Sequence, residues 1–356
     1  MGTRIDVTFV VMAGGRGERL WPLVRVGRPK VCLSLDGRMS LLEATVRRLR
    51  PVWPTADWLI VTTREQAHAV SACLPSPLRR SLLVEPQVKN TAACITLAAV
   101  SLAARDPHRV MVAVPADHWI DDARAFAHSV RAAIRAAAAH DAIVTIGIRP
   151  REPHPGLGYL CAGARVTASD SVRIFRLSRF VEKPSPAVAR RLIRQRGTYW
   201  NSGLFVGTAD KFLECVTQWL PNHTRSLVPL TTQRADSFAE RTRRAYRRLP
   251  SISFDHAVMD HLADGLIVEG RFGWVDLGSW DTWVRLRRRT DALLSLQSHG
   301  VRVVGTGRHL VATVGVRDLL VVHTPDATLI CRMRQAQAVR GIVQRLSASP
   351  ALRRYA

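Results

Sequence analysis

Lysine is scarce in this chain, which contains only Lys30, Lys89, Lys183 and Lys211 among its 52 basic residues. Arginine supplies the other 48, so a plain positive charge is almost always an arginine here. A lysine kept against that bias indicates a position where a compact, flexible ammonium is needed instead of a planar guanidinium. Three of the four lie inside the motifs described below.

Long apolar runs are also lacking, since no stretch reaches the roughly 18 residues that could span a bilayer. The N-terminus "MGTRIDVTF" lacks the charged-then-apolar order of a signal peptide, so we expect a cytoplasmic protein with no membrane partner. The six cysteines contain no C-x-x-C pair, which argues against a zinc site or a disulfide framework. They are interpreted as small core residues.

Acidic residues are few, 28 against 52 basic ones, and the formal net charge of +24 raises the question of nucleic acid binding. The basic residues do not form one block with interleaved aromatic residues. They are spread along helical patterns such as "RRLIRQRG" and "RRAYRRLP", which is typical of solvated helix faces. We therefore expect no nucleic acid partner.

The first half of the chain alternates continuous apolar runs with helical patterns. "VTFVVMAGG", "DWLIVTT", "SLLVEP" and "RVMVAVPADH" are separated by stretches such as "ARAFAHSVRAAIRAAAAH". Continuous apolar strands between helices predict an α/β fold, a doubly wound and mostly parallel sheet covered on both faces. Short β-like segments recur after about residue 295. We predict a catalytic domain over residues 1–285 and a small β domain with a terminal helix over 286–356.

The stretch "VVMAGGRGERLWPLVRVGRPK" (10–30) places a glycine-rich turn after an apolar strand. It has Leu20 where a dinucleotide fingerprint has its third glycine, and it lacks the P-loop pattern. Backbone N–H groups of such a turn, with Arg16, Arg19 and Lys30, could hold a phosphate chain. The spacing alone leaves open a plain strand-to-helix turn with surface arginines.

Six motifs in order resemble the sugar-1-phosphate nucleotidyltransferases, and among them the mannose-1-phosphate guanylyltransferases. They are "GGRGERLWPL…PK", "EPQVKNTAACI", "VPADHWI", "RFVEKPSPAVA", "YWNSGLFV" and "GWVDLGSWD". The resemblance implies a Rossmann-like, glycosyltransferase-A-like fold followed by a left-handed β-helix-like domain, as in the single-function members. It also implies transfer of GMP from GTP to a sugar 1-phosphate, giving GDP-mannose and pyrophosphate.

By this resemblance the triphosphate is neutralised by Arg19 and Lys30, which with Asp117 form the expected catalytic group. The cofactor is Mg²⁺ or Mn²⁺, held by Asp117 and Asp276, because such cations take one or two carboxylates plus substrate phosphates. A turn or helix cap is the alternative for either aspartate alone. The full expected nucleotide-binding set is Ala13, Gly14, Gly15, Gly17, Arg19, Lys30, Glu85, Asn90, Thr91 and Asp117.

Glu85 holds the position that reads the base in the family. A carboxylate accepts the two adjacent N–H donors of guanine, whereas relatives for uracil or thymine carry an amide there. Asn90 either caps the following helix or contacts base or ribose. The expected sugar-phosphate-binding residues are Gly158, Glu182, Lys183, Asn201 and Asp276.

The chain departs from the family pattern at Glu18, usually Thr, and at Val31 and Cys32, usually Gln and Phe. Glu18 adds a negative charge beside a triphosphate site unless it faces away or pairs with an arginine. These departures leave open another sugar or cyclitol 1-phosphate as substrate, or a catalytically silent regulator that binds a GDP-sugar. The partners expected are GTP and a sugar 1-phosphate, and homodimer formation is left open.

Overall fold

The computed structural model describes residues 4–166, 172–230, 235–287, 292–305 and 309–356. The catalytic strands are β1 (Val7–Met12), β2 (Asp57–Thr63), β3 (Leu82–Glu85), β4 (Val110–Pro115), β5 (His118–Ile120), β6 (Val144–Ile148), β7 (Tyr159–Arg165), β8 (Ile174–Val181), β9 (Thr198–Thr208), β10 (Leu266–Gly270) and β11 (Trp274–Asp276). The C-terminal strands are β12 (Leu293–Leu296), β13 (Arg302–Gly305), β14 (Val311–Val314), β15 (Leu319–His323) and β16 (Thr328–Arg332).

The α-helices are α1 (Leu41–Leu49), α2 (Ala67–Ala72), α3 (Asn90–Ala103), α4 (Ala123–His140), α5 (Pro186–Leu192), α6 (Ala209–Trp219), α7 (Pro221–Leu227), α8 (Ala235–Arg248), α9 (Trp280–Leu286) and α10 (Val339–Ala348). Short 3-10 turns cover Glu18–Leu20, Lys30–Cys32, Ser76–Ser81, Val228–Leu230, Met333–Ala338 and Arg353–Tyr355, and a π-turn covers Asp255–Met259. None of the helices in the described ranges is long and apolar enough to cross a bilayer.

The main sheet of the described chain has nine strands in the order β3-β2-β1-β4-β9-β6-β10-β8-β7. β1 is parallel to β2 and β4, β2 is parallel to β3, and β6 is parallel to β10. Only β8 and β9 run against the other seven, because β9 is antiparallel to β4, β6 and β7, and β8 to β7 and β10. The predicted doubly wound, mostly parallel sheet is confirmed.

Helices cover both faces of the sheet. Phe9 and Val11 of β1 face a core cluster that includes α1 and α4, while Val10 faces one that includes α3 and α6. Every second side chain thus meets a helix on one face and its neighbours meet a helix on the other. Burial on both faces explains why these strands are continuously apolar.

The C-terminal strands stack as coils of a β-helix. Leu293 pairs in parallel with Val311, and Arg302 with Leu320, so that each strand lies beside one 18 residues later. β16 then closes the stack antiparallel to β15, and α10 follows. The predicted β-helix-like C-terminal domain is confirmed.

A shared core joins the two domains at the glycine-rich segment. Leu20 and Leu23 of that segment pack with Trp283 of α9 and with Leu320 and Val339 of the C-terminal domain. The predicted boundary between residues 285 and 286 falls at the last turn of α9. The segment expected to hold triphosphate is therefore supported from both domains.

Candidate active site

The glycine-rich loop begins where β1 ends and is held from the neighbouring strand β2. The Ala13 N–H donates to the Val61 carbonyl at 2.7 Å, and the Thr62 hydroxyl donates to the Ala13 carbonyl at 3.0 Å. The Gln66 side-chain amide donates to the Gly15 carbonyl at 3.2 Å. The loop is thus anchored by its carbonyls and leaves other N–H groups available for an anion.

Two glycines of the loop lie close to other parts of the site. Gly17 has a φ of 62°, and a Cβ there would lie 2.8 Å from the Lys30 Cβ, so a side chain at this position would be strained and would clash. A Cβ on Gly14 would lie 3.3 Å from Oε2 of Glu85, a tight contact with the end of that side chain. These glycines let the loop approach both Lys30 and Glu85.

Lys30 and two aspartates form the centre of the candidate site. The Lys30 ammonium donates to Oδ2 of Asp117 at 2.6 Å and lies 3.6 Å from Oδ1 of Asp276. The Lys30 side chain is 7% exposed, so it is a buried cation and not a surface charge. The structure brings together three residues that the sequence separates by up to 246 positions.

A two-stranded ribbon explains how Asp276 reaches Asp117. β5 pairs antiparallel with β11, which places Asp276 opposite His118, the neighbour of Asp117. Trp274 donates its indole N–H to Nδ1 of His118 at 3.2 Å, and burial lowers the pKa of His118, as fits a neutral acceptor. His118 thus holds the ribbon, as a structural hydrogen-bonding residue.

Charge pairing dominates the protonation of this centre. Burial alone would lower the pKa of Lys30, but the carboxylates of Asp117 and Asp276 outweigh it and raise that pKa. Burial likewise opposes ionisation of Asp117, yet the Lys30 charge holds the pKa of Asp117 below its usual value. The two groups therefore stay charged near neutral pH.

The donor set around Lys30 fits a hard divalent cation. Asp117 and Asp276 converge on one positive charge, and their side chains are 28% and 38% exposed, which leaves oxygens facing solvent. No cluster of three or more metal-ligating side chains occurs within the described residues. Two carboxylates are sufficient for Mg²⁺, which takes its other ligands from phosphates and water.

Arg19 lies at the edge of the same centre. A Cβ on Gly278 would lie 2.8 Å from Nη2 of Arg19 and 3.1 Å from Oδ2 of Asp276, so both side chains occupy the space that this glycine leaves. The guanidinium also donates to the side chain of Gln337 in the C-terminal domain at 3.4 Å. Gly278 was not among the predicted site residues, although it stands in the quoted motif "GWVDLGSWD".

Glu18, the conspicuous departure from the family pattern, is neutralised by arginines. Its carboxylate lies 3.5 Å from Nη1 of Arg16 and 3.3 Å from Nε of Arg340 in α10. The negative charge therefore bridges to the C-terminal domain and does not stand alone beside the glycine loop.

Glu85 is buried at the end of β3, with 4% of its surface exposed. It accepts a hydrogen bond from the Tyr246 hydroxyl of α8 at 3.0 Å. Burial raises the pKa of Glu85 to about 8, although the Tyr246 hydrogen bond acts in the opposite direction. Tyr246 was missed at the sequence level because nothing in "RRAYRRLP" indicates that α8 reaches β3.

Asn90 and Thr91 make local contacts at the start of α3. Asn90 has a φ of 66°, and its side-chain oxygen accepts the Thr91 N–H at 2.9 Å. The Thr91 hydroxyl accepts the N–H of Phe254 at 2.8 Å. Both residues therefore shape the loop between β3 and α3, and their predicted contact with nucleotide stays a prediction.

The predicted sugar-binding residues form a second group along β7, β8 and β9. A Cβ on Gly158 would lie 2.7 Å from Oε2 of Glu182, so glycine is needed for this approach. Lys183 pairs with Glu182, and the N–H of Asn201 donates to the Gly158 carbonyl at 2.8 Å. The structure thus brings Gly158, Glu182, Lys183 and Asn201 together.

The Asn201 side chain is largely occupied within the protein. Its oxygen accepts hydrogen bonds from the Thr145 hydroxyl at 2.9 Å and the Gly203 N–H at 3.2 Å. Its amide donates to Oδ1 of Asp255 at 2.7 Å. Burial, and then the nearby Glu182, raises the pKa of Asp255 to about 6. Asn201 thus orients a second carboxylate, Asp255, which sequence reasoning missed although "SISFDHAVMD" contains it.

The chain matches a model of the nucleotidyl transferase family over residues 8–292, and a model of a MannoseP isomerase/GMP-like beta-helix domain over residues 292–346. The chain belongs to the nucleotidyl transferase family. A mannose-1-phosphate guanylyltransferase of Escherichia coli K12 is 34% identical over 95% of this chain and 73% of its own length. The xanthan biosynthesis protein XanB of Xanthomonas campestris is 32% identical over 97% of this chain and 74% of its own length.

Among solved structures, a Thermus thermophilus protein named mannose-1-phosphate geranyltransferase matches with a TM-score of 0.80. It is 33% identical and covers 96% of this chain and all of its own. The predicted family, its α/β fold and its reaction class, a nucleotidyl transfer, are confirmed. The roles of individual residues in this nucleotidyl transferase stay predictions.

Proposed function

We propose that this nucleotidyl transferase transfers GMP from GTP to mannose 1-phosphate, forming GDP-mannose and releasing pyrophosphate. An oxygen of the sugar phosphate forms a bond to the α-phosphorus, and the bond from that phosphorus to the leaving pyrophosphate oxygen breaks. The observation that carries the proposal is the buried Lys30 ammonium, paired with the partly exposed Asp117 and Asp276 beside the glycine loop. The names of the relatives support the choice of guanine and mannose.

Positioning and charge neutralisation account for most of the catalysis in such a transfer. The glycine loop and Arg19 bind the triphosphate, and Lys30 neutralises the charge that develops at the α-phosphate. Asp117 and Asp276 would hold Mg²⁺ or Mn²⁺, which would shield phosphate charge. Loss of a preorganised cation such as Lys30 typically costs on the order of 3 kcal/mol of barrier.

Substrate selection is assigned to two separate carboxylate groups. Glu85 accepts the two neighbouring N–H donors of guanine when it is ionised. On the sugar side, Glu182 and the second N–H of the Asn201 amide, the one not donated to Asp255, bind hydroxyls near Gly158, and Lys183 binds the sugar phosphate. A carboxylate and an amide together accept from and donate to vicinal hydroxyls.

Pyrophosphate release tests the proposal across a matrix of nucleoside triphosphates and sugar 1-phosphates with Mg²⁺. We expect release with GTP and mannose 1-phosphate, and loss of release in Asp117→Asn under conditions where circular dichroism shows that the variant is folded. Release with another sugar or cyclitol 1-phosphate would correct the acceptor alone. Absence of release with every pair, or full turnover in Asp117→Asn, would refute the proposed reaction.

A further inference from the structure

Two cysteines lie on neighbouring elements beside the candidate active site. Cys32 is the last residue of the 3-10 turn that begins at Lys30, and Cys73 directly follows α2. The Cys32 thiol donates to the Ala69 carbonyl at 3.4 Å, and the N–H of Cys73 donates to the same carbonyl at 3.2 Å. Both cysteines therefore converge on one peptide group of α2.

The two cysteines thus lie side by side at this carbonyl, and both are partly exposed. Cys94 and Cys215, by contrast, are buried. The expectation that the cysteines are small core residues is therefore correct for those two, whereas Cys32, Cys73, Cys161 and Cys331 are partly buried and pack against the edge of the core. Two cysteines that meet at one carbonyl and reach solvent are candidates for a disulfide.

We propose that Cys32 and Cys73 are a thiol pair that forms a reversible disulfide and thereby controls the position of Lys30. Its effect on turnover rests on the proposed function. The oxidant is a low-molecular-weight disulfide of the glutathione class. The Cys73 thiolate attacks one sulfur of that disulfide and expels the first small thiolate. Cys32 then attacks the Cys73 sulfur and expels the second, so two electrons and two protons pass to the small thiols.

The protonation of the pair supports this order of attack. The neighbouring Cys32 thiol lowers the pKa of the Cys73 thiol, although burial opposes that shift. The proximity of Cys73, together with burial, raises the pKa of Cys32. Cys73 is therefore the better nucleophile at neutral pH, because the thiolate is the attacking species.

A disulfide at this position would disturb both sides of the phosphate site. It fixes the sulfurs about 2.0 Å apart, closer than two thiols in contact. One sulfur is two residues from Lys30, and α2 is preceded by Gln66, whose side-chain amide donates to the Gly15 carbonyl at 3.2 Å. Closure must shift the lysine turn or the glycine loop, and a misplacement of about 1 Å can cost roughly 100-fold in rate.

The test is oxidation of the purified protein with oxidised glutathione, followed by non-reducing digestion and mass spectrometry. We expect a linked peptide that joins Cys32 to Cys73, with turnover of GTP and mannose 1-phosphate reduced at least tenfold and restored by dithiothreitol. Cys73→Ser should keep the activity of the reduced protein and resist inhibition. The linked peptide is detected without turnover, so failure of the proposed reaction would leave this part of the test intact.

A matched control is the double variant Cys161→Ser/Cys331→Ser, which removes two other partly exposed cysteines. It should still form the linked peptide and still lose turnover. Modification of Cys161 or Cys331 without any Cys32 to Cys73 peptide would overturn the disulfide. A quantitative disulfide with unchanged turnover would overturn its control of Lys30.

Discussion

Ionisation of Glu85 is expected to make the affinity for GTP rise with pH. In the protein without nucleotide, burial raises the pKa of Glu85 to about 8, and the hydrogen bond from Tyr246 only partly offsets this. The proposed contact with the two N–H donors of guanine requires the charged carboxylate. An acid whose charged form binds the ligand binds more tightly as the pH rises through its pKa, so the sign of the effect is fixed.

The size of the effect follows from that value. With a pKa of about 8, roughly 9% of Glu85 is ionised at pH 7.0 and roughly 76% at pH 8.5. The affinity of GTP should therefore increase about eightfold over this range through Glu85 alone. A bound guanine would also lower the pKa of Glu85, so binding at pH 7.0 should take up hydroxide or release a proton.

Calorimetric titration with GTP at pH 7.0 and pH 8.5 measures this change in affinity. No sugar phosphate is present, so no turnover occurs. Glu85→Gln is the matched control because the amide has the same shape and does not titrate. At each pH, dividing the GTP affinity of the wild type by that of Glu85→Gln cancels the ionisation of GTP itself. If this ratio of affinities is independent of pH, or falls as the pH rises, the proposal that an ionised Glu85 recognises guanine is refuted.

Three further outcomes are expected. Gly17→Ala should lower turnover on the order of 100-fold, since φ is 62° and the new Cβ would lie 2.8 Å from the Lys30 Cβ; unchanged kinetics would contradict this contact. Glu18→Lys should lower the free energy of unfolding, and the double variant Glu18→Lys/Arg340→Glu should recover it. Because Arg340 is 67% exposed, the coupling free energy between the two positions, measured by urea unfolding in a double-mutant cycle, should be under about 1 kcal/mol. His223→Leu should reduce the fall in melting temperature between pH 7 and pH 5. Burial lowers the folded-state pKa of His223 to about 4, so only the unfolded chain gains a proton over that range. Equal falls in melting temperature for wild type and variant would count against this role of His223.

One strand and one helix of the α/β domain, β2 and α4, could be predicted from sequence almost to the residue. "DWLIVTT" is β2 and "ARAFAHSVRAAIRAAAAH" is α4 in the structure, with Asp122 accepting N–H bonds at the start of that helix. Local patterns are sufficient in these cases because propensity, capping and burial all favour the same structure.

The direction of β9 and the pairing of β5 with β11 could not be predicted in this way. The residues of β9 are buried almost throughout, so their pattern is the same for a parallel and an antiparallel strand. The ribbon that brings Asp276 beside Asp117 consists of two strands of three residues, too short for any periodic signal. The motifs placed both aspartates in the site, but only the tertiary fold shows that they share Lys30.

Glu18 shows why a departure from a motif must be judged against distant parts of the chain. Considered within the loop, a carboxylate beside a triphosphate site opposes function. In the structure Glu18 bridges to Arg340, while its neighbour Trp21 donates to the Tyr355 carbonyl at 2.6 Å. Because the loop contacts the C-terminal domain, the charge of Glu18 is compensated by an arginine more than 300 positions later in the chain. The loop therefore tolerates a carboxylate that would be unfavourable in isolation. It follows that the C-terminal domain acts on the candidate active site by holding the glycine-rich segment, and that substitutions in either should be analysed together.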